Sequence, residues 1–293
     1  LSTNDSRSAA SGNDTNHGHL SAFNSDGVTL TKGSQGGGDY VNHDGWTYVG
    51  WSWDAGSSAA TAGTSGDIDP TGSWVNTAAG FNILTYEGNF TDNQKIDHNL
   101  GAAPELMIVK NLDNSKNWCV YHDSLGNAKK LELNNNDAEA VFVGFGSYTP
   151  TSTQFEVGLS TGTNESGKSY VAYLWTPITS FSRFGAYSGN NSSDGPFIHT
   201  GFRPALVIVK ATDTTGNWVM YDNARGENNP NPYVLLADNT DAGNTHDAWV
   251  GSYPLDFLSN GFKLRGNTGE MNGTNEFVYM AWAEHPFKTA RAK

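Results

Sequence analysis

The sequence is poor in cysteine and in charge, and it has no long apolar run. Cys119 is the only cysteine among 293 residues, which excludes an intrachain disulfide framework and a paired-cysteine metal knuckle. Charged residues make up only 16% of the chain, and 17 basic against 30 acidic residues give a net charge of −13. Phosphate-backbone binders rely on Lys and Arg, and a spanning helix needs about 20 apolar residues. We therefore expect no nucleic-acid partner and no membrane insertion.

Glycine and aromatic residues are abundant instead. The chain has 34 Gly, and aromatic residues reach 12% with nine Trp, a content that disordered chains do not carry. Turn dipeptides such as Asp26-Gly27, Asn260-Gly261 and Asn272-Gly273 separate short apolar stretches. These features predict a folded, turn-rich, all-β protein.

An internal repeat determines the predicted architecture. Residues 101–126 align without a gap on residues 201–226, and eleven of the 26 positions are identical. Two further elements recur in each copy, an apolar strand and then an aromatic strand. The apolar strand is found at 23–30, 154–157 and 257–264, and the aromatic strand at 46–51, 169–173 and 277–282.

The repeat predicts tandem antiparallel β-sandwich modules of about 100 residues. We expect a truncated first module at 1–56, a Ser/Ala/Thr/Gly-rich linker at 57–79, a second module at 80–178 and a third module with a C-terminal tail at 179–293. Within a module, the apolar run 106–110 should pair with 118–121 as a hairpin. The first module lacks this hairpin, so we expect upstream residues or another chain to complete it.

The repeat resembles a known family. The motif residues of the third copy are 201–210, Asn217-Trp218, Tyr221-Asp222 and Arg225-Gly226, and the closing string is 277–287. They resemble repeated modules in tail-fibre and other virion structural proteins of tailed phages, many of them marine or infecting cyanobacteria. The resemblance implies a virion appendage at the particle surface and implies no catalytic residue. The second copy departs from it, with His122 and Leu125 where Asp222 and Arg225 stand.

Four residues are the candidates for ligand binding: Trp118, Trp218, Asp222 and Arg225. The tryptophans either stack on sugar rings or fill a core or interface with the indole N–H bonded. Asp222 and Arg225 form either a polar clamp for a ligand or a local salt bridge that holds a turn. No motif of hydrolases, nucleotide-binding proteins or metalloenzymes occurs, so we predict no catalytic residue, no metal ligand and no cofactor.

The predicted function is that of a non-enzymatic virion protein, a tail fibre, spike or capsid decoration. It would contact a host surface polysaccharide at many weak sites. Other virion proteins and copies of itself are the expected partners, in a homo-oligomer that we expect to be a trimer. Its contacts should come from the aromatic strands around 46–53, 170–175 and 279–282. The alternatives are a secreted lectin-like or polysaccharide-active protein and a cement protein without a ligand.

Overall fold

The computed structural model of this protein is all-β, and its sheets are antiparallel. It describes residues 1–9, 15–34, 41–56, 63–226, 228–240 and 253–283. Within these ranges the helical content is one 3₁₀ turn, Asp123–Leu125, and no helix is long and apolar enough to span a bilayer. Residues 57–62 of the predicted linker and residues 284–287 of the closing string lie outside the described ranges. The chain forms two compact units, one of Leu1 with residues 9–52 and one of residues 2–8 with 53–293.

The described residues of the smaller unit form one hairpin, made of β1 (His19–Asn24) and β2 (Gly27–Thr31). Its apolar side chains are exposed to solvent, with Phe23 at 83%. Residues 46–51 were predicted as an aromatic strand, and this prediction is wrong because none of these residues is in a strand. Their counterparts in the larger unit lie between two neighbouring strands, and no such pair of neighbours flanks residues 46–51 among the described residues.

The larger unit contains two sandwiches. The first consists of a seven-stranded sheet in the order β3-β4-β11-β6-β7-β8-β9, faced by the pair β5-β10. Its strands are β3 (Gly72–Asn76), β4 (Phe81–Glu87), β5 (Gln94–Asp97), β6 (Leu106–Asn111), β7 (Cys119–His122), β8 (Lys129–Glu132), β9 (Ala140–Val141), β10 (Gln154–Val157) and β11 (Ser169–Trp175). Both sheets contribute to one apolar core, which includes Leu84, Val109, Tyr170, Ile96 and Phe155.

The second sandwich consists of a five-stranded sheet in the order β12-β19-β14-β15-β16, faced by the three-stranded sheet β13-β18-β17. Its strands are β12 (Ser182–Ser188), β13 (Phe197–His199), β14 (Leu206–Ala211), β15 (Val219–Asp222), β16 (Leu235–Leu236), β17 (Leu255–Leu258), β18 (Gly261–Leu264) and β19 (Glu276–Trp282). Phe257, the counterpart of Phe23, is 2% exposed in its core.

The predicted hairpin is confirmed in both sandwiches, and its register is the same in both. In the first, Leu106 lies opposite His122, and in the second Leu206 lies opposite Asp222. The strands β6 and β14 are central in their sheets and carry short apolar runs, as expected for strands covered on both faces. Both hairpins are therefore the inner part of a sheet rather than an edge.

Two details of the predicted organisation change. The strand β3 lies inside 57–79, the stretch predicted as a linker, because Trp74 and Val75 pair with β4 despite the small residues around them. The lone cysteine is buried at the start of β7, as a structural thiol should be, and burial raises the pKa of Cys119 to about 12.

Candidate functional site

Trp118 lies in a joint between the first sandwich and the N-terminal segment 2–8. Its side chain is buried, and its indole N–H donates to the carbonyls of Ser2 at 3.1 Å and Asp5 at 3.0 Å. Its backbone N–H donates to Asn134 Oδ1 at 2.8 Å in the turn that follows β8. Both donors of this residue are thus satisfied by neighbouring chain segments.

Trp218 forms the corresponding joint between the two sandwiches. Its side chain is fully buried, and its indole N–H donates to the carbonyl of Glu132 at 2.9 Å, at the end of β8 in the first sandwich. Its backbone N–H donates to Asp238 Oδ1 at 3.0 Å in its own sandwich. The two tryptophans therefore have equivalent surroundings, one facing Ser2 and the other facing Glu132.

A buried lysine accompanies each tryptophan. Lys110 Nζ donates to the carbonyls of Ser6 at 3.2 Å and Asn111 at 2.7 Å. Lys210 Nζ donates to the carbonyls of Asn136 at 3.5 Å and Ala211 at 2.7 Å. Both side chains are fully buried, and burial lowers the pKa of Lys210 to about 8.

Ser2 stands in the same relation to Ser6 as Glu132 does to Asn136, so both joints have one pattern. A tryptophan and a lysine from one hairpin donate to two carbonyls, four residues apart, of the preceding segment. Each joint therefore attaches the hairpin of one sandwich to the chain segment that precedes that sandwich. We name these two contacts the tryptophan joints.

This geometry favours the packing alternative for both tryptophans over sugar stacking. A stacking residue must offer a ring face to the ligand, whereas Trp118 is 4% exposed and Trp218 is 0% exposed. The indole N–H groups are also occupied by protein carbonyls. Sequence alone did not find the joints, because the acceptors are backbone carbonyls, which every residue type carries.

Asp222 and Arg225 form a salt bridge within a turn. Arg225 Nε donates to Asp222 Oδ2 at 2.6 Å, and the Arg225 backbone N–H donates to Asp222 Oδ1 at 3.0 Å. Arg225 Nη1 also donates to the Val234 carbonyl at 3.3 Å, just before β16. Asp222 is buried and its charge is paired, which is the arrangement expected of a turn-holding salt bridge.

His122 replaces this salt bridge in the first sandwich. Its Nδ1 accepts from the Ser124 backbone N–H at 3.2 Å, which caps the 3₁₀ turn. Its Nε2 then carries the proton and donates to the Tyr279 carbonyl in the second sandwich at 3.3 Å. Burial lowers the pKa of His122 to about 4, so the ring is neutral at pH 7.

Replacing Arg225 by leucine should destabilise the protein by about 2 to 4 kcal/mol, because a buried carboxylate loses its partner. The double variant D222H/R225L reproduces the His-Leu pair found at 122 and 125, and it should recover at least about 1 kcal/mol of that loss. Urea unfolding of the parent and both variants measures these values. If the Arg225→Leu variant were as stable as the parent, this result would contradict the salt-bridge interpretation and favour the ligand clamp.

The loop at one end of each sandwich is supported by a buried asparagine. Asn164 Oδ1 accepts from the Asn89 backbone N–H at 2.9 Å, and Asn164 Nδ2 donates to the Thr91 carbonyl at 2.8 Å. In the second sandwich Asn272 makes the same two bonds, to Asn190 at 2.9 Å and to Ser192 at 2.7 Å. We name the segments 89–91 and 190–192, which these bonds hold in place, the asparagine loops.

Each asparagine loop presents one residue with a left-handed backbone. Phe90 has φ +53° and is 46% exposed, and Asn191 at the matching position has φ +52° and is exposed. Their backbone N–H groups donate to the carbonyls of Asn164 and Asn272, respectively. A bulky residue at positive φ is unusual and is held only by its surroundings, a pattern that occurs at functional sites. Sequence analysis did not find this residue.

Three tryptophans at equivalent positions of the repeat meet in one cluster, which we name the tryptophan triad. Ring centroids lie 6.0 Å apart for Trp53 and Trp175, 6.0 Å for Trp175 and Trp282, and 5.4 Å for Trp53 and Trp282. The three interplanar angles are 72°, 64° and 73°. The three rings therefore pack edge to face on one another at similar separations. The three tryptophans belong to the stretches 46–53, 170–175 and 279–282, from which the contacts of the homo-oligomer are predicted, and here they contact one another within one chain.

In the part of the chain that the structure describes, no group of three or more His, Cys, Asp or Glu residues is placed to hold a metal ion. His98 is buried and structural, with Nε2 3.1 Å from the Thr151 carbonyl and Nδ1 accepting from the Leu100 backbone N–H. The tryptophan joints and the asparagine loops are therefore the candidate functional features.

The fold and these features define an all-β protein of antiparallel sheets in sandwich arrangement. The model of one protein family, described as Domain of unknown function (DUF7483), matches residues 1–286. The chain belongs to this family. No curated protein and no solved structure matches the chain.

Proposed function

We propose that the chain is built of tandem β-sandwich modules of about 100 residues, two of them complete and one truncated. The shared register of the two hairpins supports this, with Val109 opposite Cys119 and Val209 opposite Val219. The paired bonds of the tryptophan joints and of the asparagine loops support it independently, since they involve side chains at matching positions of both sandwiches. Two unrelated sandwiches would not share all three features.

We further propose that the protein is a non-enzymatic structural part of a phage virion. The resemblance of its repeat to tail-fibre and virion modules suggests this role, and the tryptophan joints are the observation that carries it. They fasten successive segments with buried, directional bonds, as a rigid appendage requires. The proposed location is the particle surface, and the proposed partners are other virion proteins and further copies of the chain, as a trimer.

The proposed contact with the host is made by the asparagine loops. Phe90 offers an exposed aromatic ring, the side chain suited to stacking on the apolar face of a sugar, at a position its loop holds rigidly. Single contacts of this kind are weak. Copies of the loop on one particle would bind a host surface polysaccharide through avidity.

Replacing Phe90 by asparagine tests the proposal and leaves the fold intact. Asparagine occupies the matching position 191 and tolerates positive φ, so stability should stay within about 0.5 kcal/mol of the parent or rise. Retention of a displayed, multivalent form of the protein on an array of bacterial surface polysaccharides should fall at least about tenfold.

The exposed Tyr148→Ala variant is the matched control and should keep the retention of the parent, because Tyr148 lies outside the asparagine loops. Equal retention of the Phe90 variant and the parent would contradict the role of the loop. No retention of the parent on any polysaccharide would contradict the glycan contact. Imaging of virions labelled with an antibody against the chain tests the location separately.

A further inference from the structure

The segment that follows β15 in the second sandwich, residues 235–240, repeats the element that forms a tryptophan joint. Its Ala237 backbone N–H donates to the Trp218 carbonyl at 3.2 Å, as the Leu133 N–H donates to the Trp118 carbonyl at 3.1 Å. Asp238 Oδ1 accepts from the Trp218 backbone N–H, as Asn134 Oδ1 accepts from that of Trp118. Residues 235–240 thus correspond one by one to residues 131–136.

The pairing of this segment directs one carbonyl outward. In an antiparallel pair, residues of the non-hydrogen-bonded pairs point their N–H and C=O groups away from the partner strand. Glu132, opposite Cys119, is such a residue, and its outward carbonyl receives the Trp218 indole. Leu236, opposite Val219, occupies the same position at the edge of its sheet. Among the described residues, no donor to the carbonyls of Leu236 or Thr240 is found. By contrast, the Glu132 carbonyl accepts from Trp218, and the Asn136 carbonyl accepts from Lys210 and from the Gly216 backbone N–H.

The two joints follow one another along the chain. Segment 2–8, which precedes Trp53, docks on the hairpin of the first sandwich, and the 132–136 segment of that sandwich docks on the hairpin of the second. The same step taken from the second sandwich would place a further hairpin on residues 235–240, which correspond to residues 131–136.

We infer that the edge at residues 235–240 is a docking surface for one more hairpin of the same repeat, with a tryptophan indole and a lysine ammonium as its donors. The two hairpins in this chain are not available, since their donors are already bonded within the chain.

This inference rests on the proposed module repeat and not on the glycan contact, so the two can fail separately. The test adds the missing hairpin by fusing a copy of residues 101–130 directly ahead of Leu1, which keeps the natural spacing to the 1–8 segment. Amide exchange of peptides covering 235–240 is the readout. We expect exchange at least about tenfold slower than in the parent, because the docked hairpin covers this edge and must open before the amides there can exchange.

The matched control is the same fusion with W118F and K110M in the added copy only, which removes both donors and keeps the apolar volume. It should give little protection at 235–240. Equal protection by both fusions, or by neither when both are folded by circular dichroism, overturns the inference.

A second variant does not depend on folding of the fusion. Deleting residues 1–8 uncovers the Trp118 hairpin, which can then dock on 235–240 of another copy. Sedimentation of the deletion variant should show at least about a tenfold gain in association over the parent, abolished by W118F. A deletion variant that sediments like the parent overturns the inference.

Discussion

Replacing Trp218 by alanine should lower the free energy of unfolding by about 3 to 5 kcal/mol, the range for a large aromatic residue lost from a core. Trp218 is fully buried, and its removal also leaves the Glu132 carbonyl without the indole donor. Replacement by phenylalanine keeps most of the volume and removes the hydrogen bond, so it should cost about 1 to 2 kcal/mol. Urea unfolding followed by circular dichroism measures both losses.

Trp74→Ala is the matched control, since Trp74 is 40% exposed on the edge strand β3 and should contribute less than about 1 kcal/mol. Two results would contradict the claim that Trp218 stabilises the joint. One is a Trp218 variant as stable as the Trp74 variant, and the other is a phenylalanine variant as stable as the parent.

Acidification from pH 6.5 to pH 4 should cost the protein about 2 to 3 kcal/mol through His122 alone. The pKa of His122 is about 4 in the folded protein and about 6.5 when the chain is unfolded, so the unfolded chain binds the proton first as the pH falls. The folded state resists protonation because the ring is buried and its Nδ1 already accepts from Ser124. The stabilisation is therefore complete above pH 6.5 and is lost as the pH falls toward 4.

His122→Gln isolates this effect, because glutamine offers an amide donor and an acceptor and does not titrate. The difference in unfolding free energy between parent and variant, measured by urea titration at several pH values, should shrink or reverse between pH 6.5 and 4. A difference that stays constant over this range would show that His122 is not a buried neutral ring.

The hairpins could be predicted from sequence because both strands of each pair lie within one gapless stretch of identities. The apolar positions of β6 and β14 coincide, and burial on both faces makes that pattern hard to change. Residues 46–51 show the limit of the same reasoning. Aromatic and β-branched residues fit a strand, but a strand forms only beside a partner, and the described chain supplies none there.

Sequence analysis did not identify most of the candidate site, for two physical reasons. The acceptors in the tryptophan joints are backbone carbonyls, which no residue type marks, and the donors Lys110 and Lys210 read as surface charges although both are buried. The asparagine loops join residues far apart in sequence, 75 positions for Asn89 with Asn164 and 82 for Asn190 with Asn272. Unequal separations hide the correspondence from a fixed-offset alignment.

The tryptophan triad has a genetic consequence, because its three equivalent positions are encoded separately in one chain. In a symmetric trimer of identical chains, any substitution would change all three positions at once. In this chain, each copy of the repeat can differ from the other copies. His122 occupies the position that Asp222 has in the second sandwich, and Phe90 occupies the position of Asn191. A single polypeptide can thus place different side chains at equivalent loops while its stoichiometry stays fixed by covalent linkage.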